Sequence, residues 1–260
     1  MVEAGLTDAV AAIVADASAL ALRQWRTDFV RWEKSPGDPV CAVDLEVNAL
    51  LRDRLGALLP DAGWLSEETA DNADRLGCTR LWVVDPIDGT RDYIRGRDGW
   101  AVSVALVDQG RPVIGVLDAG ARGQVFRAEL GQGAWCNGAR IMVGDRQAFS
   151  GSRVPTDALP KVDRDLVAVA KPNSIALRIA MVAADEADLV ATLRWGWEWD
   201  VAAAVLIAAE AGARVTDALG QDLAFNTPRA QAFGVVACVP GIHAAAIARL
   251  RERAVALSAG

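Results

Sequence analysis

The 260-residue chain has a single histidine, His243, and a single tyrosine, Tyr93. One imidazole leaves no room for a His-built metal site or a catalytic His pair. The four cysteines, Cys41, Cys78, Cys136 and Cys238, form no CxxC pair. Zinc-ribbon and thioredoxin-like chemistry therefore fail on spacing, and free thiols in a reducing, cytoplasmic setting are expected. No Lys/Arg tract is present and the net charge is −7. A nucleic-acid polymer or a membrane surface is not the expected partner. The apolar run 9–22 carries Asp16 and is too short to span a bilayer. No basic n-region with a cleavage site opens the chain. Walker, G-x-G-x-x-G and G-x-S-x-G motifs are missing as well.

What is present is a large apolar fraction, 52%, with 23% charged residues. That composition builds one large domain or two modest ones. Helical spacing of Val10, Ile13, Val14, Ala17 and Ala21 predicts a first helix beginning near Thr7 or Asp8. A loop is expected at 35–39, then a second helix capped by Asp44. Trp64-Leu65-Ser66 reads as a short strand, and 81–84 as a buried strand that stops at Asp85-Pro86. The segments 101–107 and 112–117 flank a hairpin turn at Asp108-Gln109-Gly110. Further strands are expected at 125–128, 140–143 and 166–170, near Leu189, and near Val215 and Val235. Helices are expected at 174–184, 200–211 (capped by Asp200) and 240–249. A composition break at 144–165 places a boundary between an α+β subdomain, 1–148, and an α/β subdomain, 149–260. The mixture predicts a layered α/β or α+β fold.

The chemistry concentrates in LWVVDPIDGTRDY. A buried strand delivers Asp85, and Asp88 follows where the chain turns. Gly89 permits close backbone approach, and Thr90 can open a helix whose free N–H groups suit a phosphate. Two adjacent carboxylates repel unless a cation lies between them. Oxygen donors without His or Cys select Mg2+ or Mn2+ over zinc. Glu67-Glu68 ends another short strand, and Asp200 stands where a long Ala-rich helix begins. In isolation an acidic pair reads as solvated surface, and Asp44 and Asp200 as N-caps.

Together, LSEE, DPIDGT and WDVAAA resemble the inositol monophosphatase superfamily over 39–247. The resemblance implies an αβαβα sandwich and a phosphomonoesterase of small soluble metabolites, working through a metal-activated water. It implies two or three Mg2+ ions, replaceable by Mn2+, and inhibition by Li+. Glu67, Asp85 and the Ile87 carbonyl would hold one ion, and Asp85, Asp88 and Asp200 a second. Asp44 and Thr90 would activate the water, and Gly89 and Thr90 amides would cradle the phosphate. Glu67, Asp88, Asp200 and Ser174 would also face substrate. Members of the superfamily are often homodimers, so a homodimer is a possible assembly.

Within the superfamily, Leu65-Ser66 before the acidic pair, Arg91-Asp92-Tyr93-Ile94 after DPIDGT, and VDQGRPVIGV look like the bacterial 3'(2'),5'-bisphosphate nucleotidases. PVCAVD resembles that branch's P-V-T-x-A-D, with Cys41 in place of Thr. Gly151-Ser152-Arg153-Val154 lacks the His of that branch's S-R-S-H. The expected reaction is hydrolysis of adenosine 3',5'-bisphosphate to AMP and phosphate. The alternatives are an inositol- or sugar-phosphate phosphatase, or a non-catalytic binding protein on the same scaffold. Arg91, Arg153 and Lys171 are candidates for a second phosphate, or ordinary surface charges. Trp195, Trp197 and Trp199 offer a wall for adenine, although core packing is expected for at least two of them.

Overall fold

In a computed structural model, residues 2–35 and 38–258 are described. Helix α1 (Leu6–Gln24) is followed by strands β1 (Arg31–Ser35) and β2 (Asp38–Cys41), then α2 (Ala42–Leu58), β3 (Gly63–Ser66), β4 (Arg80–Asp88) and the short α3 (Thr90–Ile94). Next come β5 (Ala101–Asp108), β6 (Arg111–Ala119), β7 (Gln124–Glu129), β8 (Gly133–Cys136) and β9 (Ala139–Ile141). The remainder is β10 (Arg153–Pro155), β11 (Val167–Val169), α4 (Ile175–Ala183), β12 (Leu189–Trp197), α5 (Glu198–Glu210), β13 (Arg214–Thr216), β14 (Gln231–Cys238) and α6 (His243–Ser258).

Strands β3 to β9 form a seven-stranded sheet in sequence order, parallel at β3–β4 and antiparallel elsewhere. Alternation along the strands sorts its two faces. Trp82, Val84, Val102, Val104 and Leu106 join Val10, Val14, Val47 and Leu51 under α1 and α2. Leu81, Val83, Ala101, Ala105 and Val107 join the alanines of α4 and α5. Gly115 lets α5 approach closely, since a Cβ there would stand 2.6 Å from the Ala203 carbonyl oxygen. Beyond α4 and α5 lies a second sheet, β12-β14-β13, whose outer residues Leu189, Val236 and Cys238 pack on Ala246 and Leu250 of α6. The layers run αβαβα. One core joins Leu65 to Val235 across the expected boundary.

Several local expectations are corrected. The stretch expected as a loop holds parts of β1 and β2, with Ser35 paired to Asp38; Pro36 and Gly37 lie outside the described residues. Asp44 is not the N-cap of α2: Cys41 is, and Asp44 sits at the third helical position, where its carboxylate accepts from the Cys41 N–H at 2.8 Å. Asp200 is likewise third in α5, accepting from the Trp197 N–H at 3.2 Å. In both, a capping box puts the acid one turn inside the helix start. The strand near Leu189 runs nine residues to Trp197. Strand β8 was not expected, because four residues between turns carry little periodicity.

Strand β4 does not stop at Pro86. Its pairing with β5 passes from Asp85–Ser103 to Asp88–Ala101, one extra residue on β4. The bulge accommodates Pro86, which has no N–H to donate. It also changes facing. Ile87 turns into the α1/α2 core, and Asp88, which regular alternation would place opposite Asp85, turns to the same side.

Candidate active site

Parallel pairing at β3–β4 brings the first two acids together. Ser66 pairs with Val84, and the Glu67 N–H donates to the Val84 carbonyl at 3.3 Å. Glu67 therefore arrives beside Asp85, close enough for its charge to push the Asp85 carboxyl up. The bulge adds Asp88. The first turn of α5, laid over β4 and β5, adds Asp200. Glu67, Asp85, Ile87, Asp88, Gly89, Thr90 and Asp200 all line one cavity of about 660 Å³.

Every carboxyl in this group is pushed up. Burial is the main cause for Asp85, reinforced by the charges of Glu67, Asp88, Asp200 and Asp44, and holds it well above the usual range. Asp200 rises to about 8, through burial and then the neighbouring Asp88 and Glu67. Glu67 and Asp88 are raised by burial, against hydrogen bonds and cations that pull them down. Such crowding is unfavourable unless protons or cations are bound.

Donors of the chain occupy part of the set. Asp88 Oδ2 accepts from Ser174 Oγ at 2.5 Å and the Ala176 N–H at 2.7 Å, and Oδ1 from the Ile175 N–H at 3.3 Å. Lys34 of β1 reaches Glu67 at 3.3 Å and Glu68 at 2.5 Å. Among the described residues, no three His, Cys, Asp or Glu side chains already converge as a finished metal cage. The donor chemistry nevertheless fits a hard divalent cation: all are oxygens, they share one cavity, and their mutual repulsion is what such an ion relieves.

Two expected participants stand behind the cavity wall. Asp44 is fully buried, and burial raises it to about 6. Its Oδ1 lies 3.3 Å from Thr90 Oγ1, which also donates to the Ile87 carbonyl at 3.0 Å. The Cys41 thiol lies 2.9 Å from the other Asp44 oxygen. Ser174, also fully buried, caps α4 by accepting from the Leu177 N–H at 2.9 Å. Its link to the cavity runs through Asp88.

Gly89 adopts φ +96°, and a Cβ there would stand 2.6 Å from the Gly99 carbonyl oxygen. Glycine is required on both counts. This residue caps α3, and Gly89 and Thr90 both line the cavity.

Around the acids stand Lys34, Arg91, Lys171, Arg178 and Arg194. Lys34, Arg178 and Arg194 were not singled out from the sequence. Lys34 carries no local signal. Arg178 follows Ser174 by one helical turn, and Arg194 alternates with Gly196 along β12. Those spacings gain meaning only once the elements are placed. Arg178 donates to the Pro172 and Asn173 carbonyls at 2.8 and 2.5 Å. Of the three cations proposed for a second phosphate, Arg153 lies elsewhere, bound to Asp188 and Asp185. Lys171 lines the cavity but pairs with Asp157 at 2.6 Å. The tryptophans also depart from expectation: Trp195 and Trp197 are 47% and 43% exposed, and only Trp199 of the three is core. Trp195 meets Phe233 edge-on, with ring centroids 5.5 Å apart. Trp197 stacks on Trp199 with ring centroids 4.7 Å apart and planes at 10°, and both line the cavity.

The family model described as "Inositol monophosphatase family" matches residues 3–256. An inositol-1-monophosphatase of Mycobacterium leprae is 37% identical over 250 residues, covering 86% of this chain and 81% of the relative. A 3'(2'),5'-bisphosphate nucleotidase CysQ of Shigella flexneri is 34% identical over 205 residues, covering 75% and 82%. The solved structure of a Thermotoga maritima IMPase superposes with a TM-score of 0.82 at 26% identity, covering 96% of this chain and 98% of that one.

Proposed function

Because the chain belongs to the inositol monophosphatase family, we propose that it is a Mg2+-dependent phosphomonoesterase acting on a nucleoside bisphosphate, adenosine 3',5'-bisphosphate being the preferred substrate. One observation carries the choice of substrate. The acid-lined cavity also holds Arg178 and Arg194, and an exposed Trp197 backed by Trp199. A bisphosphate presents a second anionic group for a guanidinium. A purine presents a flat face for an indole. A monophosphorylated inositol offers neither.

Glu67, Asp85, Asp88, Asp200 and the Ile87 carbonyl would hold two or three Mg2+ ions, or Mn2+ in their place. Divalent cations held there would supply Lewis acidity toward phosphate and lower the pKa of water. The chain's own groups do the rest. Gly89 and Thr90 amides receive phosphate oxygens at the start of α3. The Thr90 hydroxyl links the reacting region to Asp44, a fully buried carboxyl 3.3 Å away that is placed to take up a proton through it. Ser174 and the first N–H groups of α4 hold Asp88 in place.

A second reading, hydrolysis of myo-inositol 1-phosphate, is favoured by the 37% identity to relatives named inositol-1-monophosphatase. Phosphate release from the two esters, measured side by side with Mg2+, separates the readings. A clear advantage in kcat/KM for the inositol ester reverses the order. No release from a broad panel of phosphomonoesters returns the chain to a binding role.

A further inference from the structure

Strand β5 sets one more polar side chain beside the acids. Ser103 is the register partner of Asp85. Directly opposed residues of an antiparallel pair share a face, with Cβ atoms about 4.5–5.5 Å apart. Ser103 is 1% exposed, and its hydroxyl has no hydrogen-bond partner among the described residues. Along that face its neighbours on β4 and β5 are Leu81, Val83, Ala101, Ala105 and Val107, all apolar. Other hydroxyls around the site are spent: Ser66 on Asn48 at 2.7 Å, Ser174 on Asp88, and Thr90 on the Ile87 carbonyl. A buried hydroxyl with no acceptor is unfavourable, and such a group calls for an explanation. The acceptor that the register supplies is Asp85, itself fully buried, with Oδ1 taken by the Ile87 N–H at 3.1 Å.

We infer that Ser103 is a positioning residue of the acidic site: its hydroxyl donates to the Asp85 carboxylate when Asp85 binds a divalent cation, and so fixes which oxygen Asp85 presents. The inference rests on the reading that this site holds Mg2+. A carboxylate has lone pairs enough for an ion and a hydroxyl together. Partners of this kind orient metal ligands throughout metal sites, and their loss weakens metal binding by about 10–100-fold. A carboxylate shared between two ions, the role expected of Asp85, gains most from a fixed orientation.

The test is Mg2+ binding without substrate. Metal-stripped wild type, S103A and S103T are titrated with Mg2+ in a calorimeter, and the melting temperature of each is recorded in EDTA. S103A is expected to bind Mg2+ about 10–100-fold more weakly. Its melting temperature in EDTA is expected to stay level or rise, since an unpaired hydroxyl has gone. Raising Mg2+ should restore its kcat. S103T keeps the hydroxyl on a strand that favours β-branching, and its affinity should lie closer to wild type. Wild-type Mg2+ affinity in S103A overturns the inference. So does a fall in its EDTA melting temperature with affinity unchanged, which marks the hydroxyl as structural. A wild type that binds no Mg2+ overturns the metal reading itself, and is told apart from the other failures by that fact.

Discussion

Ser174 donates its hydroxyl to Asp88 at 2.5 Å across 86 positions of sequence. This bond ties the bulged end of β4, which carries the acids, to the start of α4. The Gly99 carbonyl lies beside it, accepting from the Ser174 N–H at 2.9 Å. The two halves of the chain therefore meet at the site itself. One consequence concerns Ser174→Ala. It removes a charge-assisted bond and a helix cap together, for about 1–3 kcal/mol of stability. Asp88 keeps its two backbone donors, so it should turn rather than leave. The expected outcome is a lower melting temperature and a kcat reduced by about 10–100-fold, with KM little changed. Unaltered kcat in a folded variant would show that Asp88 needs no such anchor.

Asp200→Asn should separate function from stability. The side chain keeps its shape and its oxygen can still accept from the Trp197 N–H. What disappears is a charge that burial, Asp88 and Glu67 all disfavour. Activity should fall by about a thousandfold or more if Asp200 holds a cation as proposed. The EDTA-treated protein should melt at the same temperature or higher at pH 8. Steady-state kinetics and a thermal melt check the two halves, and a fully active variant would remove Asp200 from the site.

Contiguous strings carried most of what could be read in advance. DPIDGT, the Glu67-Glu68 pair and the Trp199-Asp200 pair each hold their chemistry within a few residues, and each lines or adjoins the same cavity. The five layers followed from resemblance, not from periodicity. Helix starts at Asp44 and Asp200 were misplaced because an acid at the third helical position and an acid at the cap look alike until the backbone is seen. The bulge at Pro86 was invisible for a related reason: proline says that a ladder bond is missing, not that the strand resumes after it. Lys34, Arg178 and Arg194 could not be found, since ordinary charges on separate elements converge only through tertiary packing. Trp195 and Trp197 were misjudged because nothing in Trp-x-Trp-x-Trp says which end of the run leaves the core.

Substrate choice should respond to Trp197 and Arg194 without loss of the chemical step. Both line the cavity, and neither is one of the acids. Base stacking is worth about 1–3 kcal/mol by truncation. Trp197→Ala should therefore raise KM for adenosine 3',5'-bisphosphate by about tenfold or more. Arg194→Ala should do so through the second phosphate. Each should change KM for myo-inositol 1-phosphate by less than about threefold. Equal effects on both esters would place these residues outside specificity and favour the inositol reading.

The metal-free protein should lose stability as pH rises through neutrality, opposite to the usual acid denaturation. A carboxyl whose pKa is higher folded than unfolded holds its proton in the native state after the unfolded chain has released it. Between those two pKa values the native state binds more protons, so stability falls as pH climbs. Asp200 spans the interval from about 4, the ordinary range, to about 8, and Asp44 extends to about 6. Asp85, Asp88 and Glu67 shift in the same direction. His243 opposes them weakly: burial lowers its pKa, so it favours the folded state as pH rises through its titration. In EDTA, the melting temperature should fall between pH 5 and pH 8, and Asp200→Asn should flatten the slope while leaving the His243 contribution. Mg2+ at pH 8 should recover the lost stability, because a cation among the oxygens replaces the protons. A melting temperature in EDTA that rises steadily from pH 5 to pH 8 would mean that the carboxylates are solvated and apart, and the case for a shared ion would fail with it.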